Sequence, residues 1–176
     1  MYESEPLAEY SLHYDIMQKI HVGIVEIGVL NGETSNYFLE NCKLPIFGID
    51  PLIPDSMNDE LVGNINSINM LKRKYSNYTF IKDYSYNAVL SFNYKFDYLF
   101  IDADHTYEAV KKDFHDWFPL LNRGGYVSFH DSAKYRGGPH HWEGPSRLVD
   151  ELIADLKNNG LEYYRTIYSL TSFKKA

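Results

Sequence analysis

The chain has 176 residues, 44% apolar and 23% charged, the balance of an ordinary globular protein with enough length for a sizeable core. Its formal net charge of −7, with no Lys/Arg cluster, argues against a nucleic-acid partner. No run approaches the ~18 apolar residues of a membrane-spanning helix, Glu3, Glu5 and Glu9 stand where a secretory signal would be apolar, and the single Cys42 forms no internal disulfide, so a cytoplasmic protein is expected.

No repeat, low-complexity tract or linker interrupts the chain, which reads as one domain over residues 1–176. The first 19 residues read as an amphipathic helix with Leu7, Leu12, Ile16 and Ile20 on one side. Val22 to Ile27 is a short β-rich run, followed by a helix over 33–41. Pro45 to Ile49 is the second strand and ends at Asp50-Pro51. Residues 52–64 are rich in Pro, Asp and Asn and read as a loop. A helix over 65–75 leads to a third strand, Tyr78 to Ile81, and a weaker helix covers 84–92.

Phe96 to Ile101 is the fourth strand. The helix after it carries Tyr107, Val110, Phe114, Trp117, Phe118 and Leu121 at three- and four-residue steps, and Pro119 should bend or end it. Asn122-Arg123-Gly124-Gly125 reads as a turn before a fifth strand, Tyr126 to Phe129. Glycines and prolines make 132–145 a loop. Ser146 is the expected N-cap of a helix that buries Leu148, Val149, Leu152, Ile153 and Leu156 and closes at Asn158-Asn159-Gly160. Glu162 to Lys174 reads as one or two terminal strands.

Strands alternating with helices at this spacing imply a parallel sheet covered on both faces. Right-handed crossovers then bring every strand's carboxyl end to one rim. Glu26, Asp50, Asp102 and Asp131 all fall at such ends, and there α/β proteins bind their ligands. Gly28 and Gly32 let the backbone after the first strand pass close to a ligand, although an ordinary tight turn also explains them. Their Gly-x3-Gly spacing is not G-x-G-x-x-G, and no P-loop Lys-Ser/Thr follows, so a diphosphate ligand is disfavoured. Asp50 stands where an acid takes both hydroxyls of a ribose. The fourth strand ends in Asp102-Ala103-Asp104-His105, and the fifth in His130-Asp131, which gathers acid and base at neighbouring strand ends.

Four segments in order carry a resemblance: Val25-Glu26-Ile27-Gly28-Val29-Leu30-Asn31-Gly32, then Gly48-Ile49-Asp50-Pro51, then Phe96 through Tyr107, then Leu120-Leu121-Asn122-Arg123-Gly124-Gly125. Together, over roughly residues 20–135, the chain resembles the class I S-adenosylmethionine-dependent methyltransferases. It looks most like the small-molecule O-methyltransferases of the macrocin and caffeoyl-CoA or catechol type. The resemblance implies a Rossmann-like methyltransferase fold, with a mostly parallel seven-stranded sheet and helices on both faces. It implies S-adenosylmethionine as cofactor and a small-molecule hydroxyl, of a sugar or a phenol, as acceptor. Glu26, Gly28 and Gly32 would line the methionine and ribose end, Asp50 would hold the ribose, and Asp83 and Tyr84 would sit near the adenine. Asp102 would lie beside the sulfonium and, as in metal-dependent members, would join His130 and Asp131 around a divalent metal, Mg or Mn. His105 would be the catalytic base.

His130 departs from the oxygen ligands usual in metal-dependent relatives. A nitrogen donor suits Mn²⁺, Fe²⁺ or Zn²⁺ better than Mg²⁺; an acid/base role, or one of orienting a ligand, also fits His130. Asp104 reads as the cap of the following helix with His105 left exposed, and Tyr107 as core. His115 reads as solvated, and His13 and His21, without acidic neighbours in sequence, as structural. His140-His141-Trp142-Glu143 suggests a loop that packs Trp142 over the site. The segment before the first strand is small for a pocket cap, so the 132–145 loop or a neighbouring subunit of a homo-oligomer would complete it. Two other classes stay open: an NAD-dependent oxidoreductase on the same sheet, and a non-catalytic cofactor-binding or interaction protein.

Overall fold

The computed structural model describes residues 6–54, 62–134 and 142–176. Helix α1 (Pro6–Met17) precedes strand β1 (Ile24–Ile27), α2 (Glu33–Asn41), β2 (Ile46–Ile49), α3 (Ile65–Lys74) and β3 (Tyr78–Ile81). A single turn, α4 (Ser85–Ala88), continues as a 3-10 turn over Val89–Ser91, where a longer helix was expected. Strand β4 (Phe96–Ile101), α5 (Tyr107–Trp117), β5 (Leu121–Phe129), α6 (Glu143–Ala154) and the hairpin β6 (Leu161–Ile167) with β7 (Leu170–Lys175) complete the chain.

The seven strands form one sheet in the order β3-β2-β1-β4-β5-β7-β6. The first five are parallel, and β7 runs antiparallel to both β5 and β6. Period-two alternation assigns the faces. Val25, Ile27, Leu99 and Ile101 pack with Val110, Phe114 and Trp117 of α5 and Leu148 of α6. Ile24, Tyr98 and Phe100 point the other way, into a core with Leu12 and Ile16 of α1, Phe38 of α2 and Ile68 of α3. Leu12 and Ile16 are buried as the stripe in α1 requires, and Ile20 is buried beyond the helix end at Met17; the side chain of Leu7 lies outside the described residues.

Three boundaries differ from the sequence reading. Pro119 does end α5, by way of a 3-10 turn over Phe118–Leu120, and Leu121 opens β5 instead of closing the helical stripe. The expected turn Asn122–Gly125 lies inside β5 as an irregularity: β4 advances from Phe96 to Tyr98 while β5 advances from Leu121 to Tyr126. Gly124, at φ +77°, supplies the left-handed kink that this slack needs. Finally, α6 begins at Glu143, so Gly144 and Pro145 form its first turn, where proline costs no hydrogen bond. Ser146 is therefore inside the helix, buried, and its hydroxyl accepts the Lys134 N–H at 3.2 Å. The centre of the 52–64 loop and His140-His141 lie outside the described residues.

Candidate active site

The register aligns the strand ends. Ile27 pairs with both Ile49 and Ile101, and Ile101 pairs with Phe129. The next residues, Gly28, Asp50, Asp102 and His130, therefore stand side by side at the rim, where the strand order reverses between β1 and β4. Amide bonds fix their level: Gly28 donates to the Ile49 carbonyl at 2.9 Å, Asp102 to Ile27 at 2.8 Å and His130 to Ile101 at 3.1 Å.

Beyond this rim lies a cavity of about 900 Å³. Gly28 forms part of its floor at φ +87°, and a Cβ there would lie 2.0 Å from the Asp102 carbonyl oxygen. Only glycine fits, because the β1–α2 loop rests directly on the β4–α5 loop. Asp50 Oδ2 accepts the N–H groups of Val29 at 2.8 Å and Leu30 at 2.9 Å, and its Oδ1 accepts that of Leu52 at 2.6 Å. It thus holds the loop in place, with Leu30 at φ +52°, and it lines the cavity. Glu26 also lines the cavity, buried and hydrogen-bonded to the Ser35 hydroxyl. Burial lifts its carboxyl to about 8; the Ser35 bond opposes this rise, while Asp102 and Asp50 add to it.

Two carboxylates and two imidazoles meet at one end. His130 Nδ1 lies 3.0 Å from Asp102 Oδ1 and 3.5 Å from Asp131 Oδ2. His105 Nε2 lies 3.2 Å from the same Asp131 oxygen and 3.9 Å from Asp102 Oδ1. Asp102, His105 and Asp131 each offer one ligand atom, all within 4.8 Å of one another, the spacing of a metal site. Asp131 reaches this position through a left-handed backbone, φ +49°, rare for a residue with a Cβ and enriched at working sites. Burial alone would lower the His130 pKa, but Asp102, Asp131 and Glu9 outweigh it and raise it well above the usual imidazole value. Burial pushes the Asp131 carboxyl up, yet His105 and His130 together hold it well below the usual carboxylate range.

Several sequence expectations change. His105 is largely enclosed, its side chain 13% exposed, and Trp142 packs on it with ring centroids 5.2 Å apart. The cap of α5 is Thr106, whose hydroxyl accepts from Ala109, while Asp104 turns back to accept the Thr106 N–H at 2.8 Å. Tyr107 does pack against the core, but it is only half-buried and its hydroxyl donates to Glu151 at 2.6 Å. Gly32 does not line the cavity: it is the left-handed N-cap of α2, and a Cβ would strike Leu71 of α3 at 2.7 Å. Asp83 accepts from the Tyr84 N–H and from Asn87 around α4, and Tyr84, Ser85 and Tyr86 face the cavity in its place. His21 and His115 are exposed, as a structural or solvated reading expects.

Three cavity residues escaped the sequence reading. Glu9 and His13 interrupt the apolar stripe of α1, and that interruption is the signal that marks them. His13 donates or accepts at Nδ1 with Tyr98 at 2.6 Å, and burial, helped by the His130 charge, lowers its pKa to about 3. Asp113 likewise sits beside Phe114 on the buried side of α5. It accepts a hydrogen bond from Ser85, and burial raises its carboxyl to about 7 against that bond.

A family model described as a methyltransferase domain matches residues 25–132. An uncharacterized protein of Acanthamoeba polyphaga mimivirus is 30% identical over 158 residues, 82% of this chain and 70% of its own. Among solved structures, the O-methyltransferase NovP superposes with a TM-score of 0.74 at 15% identity, over 96% of this chain and 79% of its own. The SAH-bound Podospora anserina methyltransferase PaMTH1 superposes with a TM-score of 0.63 at 17% identity, over 95% of this chain and 76% of its own. Those two likenesses are of fold. The family match covers more than half of the residues and establishes that the chain belongs to the methyltransferase-domain family, a class I S-adenosylmethionine-dependent methyltransferase.

Proposed function

We propose that the protein transfers the methyl group of S-adenosylmethionine to a hydroxyl of a small molecule, a sugar or a phenol, with a divalent metal at Asp102 and Asp131. The observation that carries this reading is the meeting of two carboxylates and two imidazoles beside the Gly28 turn. On this reading Glu26 and Gly28 line the methionine end, Asp50 the ribose, and Tyr84 with Ser85 the adenine.

The charge of the lining supports the choice. Lys112 is the sole lysine or arginine among the described lining residues, set against Glu9, Glu26, Glu33, Asp50, Asp102 and further acids. Such a lining suits a sulfonium cofactor and a neutral acceptor. It disfavours a diphosphate, and with it the nicotinamide-dependent oxidoreductase.

The residues then divide the chemistry. An alcohol oxygen must lose its proton as it accepts the methyl group. His105, with Nε2 against Asp131, takes that proton on its imidazole, and the Asp131 charge stabilises the imidazolium that results. A bound divalent ion supplies polarisation of the acceptor oxygen. Trp142 covers His105 and limits water there.

The test is methyl transfer from isotopically labelled S-adenosylmethionine to a panel of sugars, phenols, amines and thiols, with and without chelator. A methyl ether as product is expected. Methylation confined to nitrogen or sulfur acceptors would overturn the hydroxyl assignment. Equal turnover after chelation would remove the metal alone.

A further inference from the structure

Glu9 is a buried carboxylate on the packed side of α1, 121 residues from the histidine that it meets. Burying a carboxylate costs free energy unless its oxygens are bonded, and both are. Oε1 accepts the N–H of Ser169 at 2.9 Å and also its hydroxyl, in the turn between β6 and β7. Oε2 lies 3.0 Å from Nε2 of His130.

The second contact fixes the chemistry of the ring. A carboxylate only accepts, so Nε2 of His130 carries the hydrogen. Nδ1 is then the variable atom, and it faces Asp102 Oδ1 at 3.0 Å and Asp131 Oδ2 at 3.5 Å. Without a second hydrogen on Nδ1, its lone pair and the two carboxylate oxygens face one another, and the cation between them is either that proton or a metal ion that takes its place. A nitrogen with two carboxylate oxygens is a donor set for Mn²⁺, Fe²⁺ or Zn²⁺ in preference to Mg²⁺.

We propose that Glu9 is the positioning residue of this centre: it holds the Nε2–H of His130 so that Nδ1 joins Asp102 and Asp131 as ligands of a transition-metal dication. The proposal rests on the metal reading of the site given above. It makes α1 part of the metal centre without supplying a ligand, so metal occupancy and the docking of α1 support each other. Outer carboxylates that orient a ligating histidine are worth about 10- to 100-fold in metal affinity.

The experiment titrates MnCl₂ into the whole protein by calorimetry, with electron spin-echo detection of imidazole nitrogen on the bound Mn²⁺. The variants are Glu9→Ala, Glu9→Gln and Ser169→Ala. Gln keeps the volume and an acceptor for the Nε2–H, and so guards against loss of folding; binding of S-adenosylhomocysteine verifies the fold of each variant. We expect the Mn²⁺ dissociation constant to rise about 10- to 100-fold in Glu9→Ala, by less in Glu9→Gln, and little in Ser169→Ala. The nitrogen signal should weaken in the same order. Tight Mn²⁺ binding that is unchanged in both Glu9 variants overturns the role of Glu9 and leaves the metal site standing. An equal loss in Ser169→Ala overturns it too, because docking of α1 would then account for the effect. Absence of saturable Mn²⁺ binding to the parent protein overturns the metal reading itself.

Discussion

His105 and Asp131 face each other across the gap between β4 and β5, with Nε2 3.2 Å from Oδ2. This pairing makes His105 the base of the proposed reaction. His105→Ala should lower turnover about 10²- to 10⁴-fold, while the dissociation constant of S-adenosylhomocysteine, measured by calorimetry, changes little. A matching fall in Mn²⁺ affinity would make His105 a metal ligand instead.

Asp131 combines a left-handed backbone with a carboxylate held ionised by two imidazoles. Asparagine tolerates that conformation, so Asp131→Asn should melt within a few degrees of the parent protein. Its turnover should nonetheless fall to about the level of the chelated enzyme, since one metal ligand and the partner of His105 are both lost. Thermal melts set beside single-turnover rates check both halves.

Glu26 titrates near 8 where a free glutamate titrates near 4.5, so it is mostly protonated at pH 7 without cofactor. The cationic S-adenosylmethionine should favour the charged carboxylate and expel that proton. Calorimetry at pH 7 in buffers of different ionisation heat should therefore detect release of up to one proton per cofactor bound. Glu26→Gln should abolish the dependence on buffer.

Asp113 shifts the stability of the fold with pH. Its carboxyl titrates near 7 in the folded protein, above the usual 3.8. A raised acid favours the protonated folded state, so this stability is present below pH 3.8 and is lost as the pH rises toward 7. Asp113→Asn should therefore melt higher than the parent at pH 8 and at the same temperature near pH 4. Melting curves across that range give the sign directly.

Trp142 covers His105 at a centroid distance of 5.2 Å. Trp142→Ala should raise KM for the acceptor several-fold and spare cofactor binding, because its contact is with the proposed base. Steady-state kinetics with each substrate varied in turn separates the two.

Periodicity made the sheet and most helices legible. The five parallel strands follow apolar runs, and α2 falls over the expected 33–41. Where the reading failed, a local signal carried two meanings. Gly144 and Pro145 look like loop residues, yet Gly144 is small because a Cβ would lie 2.2 Å from the His105 carbonyl oxygen, and Pro145 occupies a first helical turn. The site divides in the same way. Strand-end residues such as Asp102 and His130 are visible because the fold family places them. Glu9 and Asp113 come from helices, and their tertiary partners lie 121 and 28 residues away in the chain. No local pattern encodes such a pairing, though an acid within an apolar stripe hints at it.

The contact of Gly28 with the Asp102 carbonyl oxygen has a consequence for how this scaffold can change. The β1–α2 loop, which the proposed reading sets against the methyl donor, and the β4–α5 loop that carries Asp102 are pressed together main chain to main chain, so neither can shift without the other. The donor half of the cavity is in effect a single casting. On the proposed reading, acceptors would be distinguished elsewhere in the lining, to which Tyr10 and His13 of α1 and Tyr168 and Ser169 of the β6–β7 turn contribute. Substitutions there can retune what is methylated while leaving untouched the distance over which the methyl group travels.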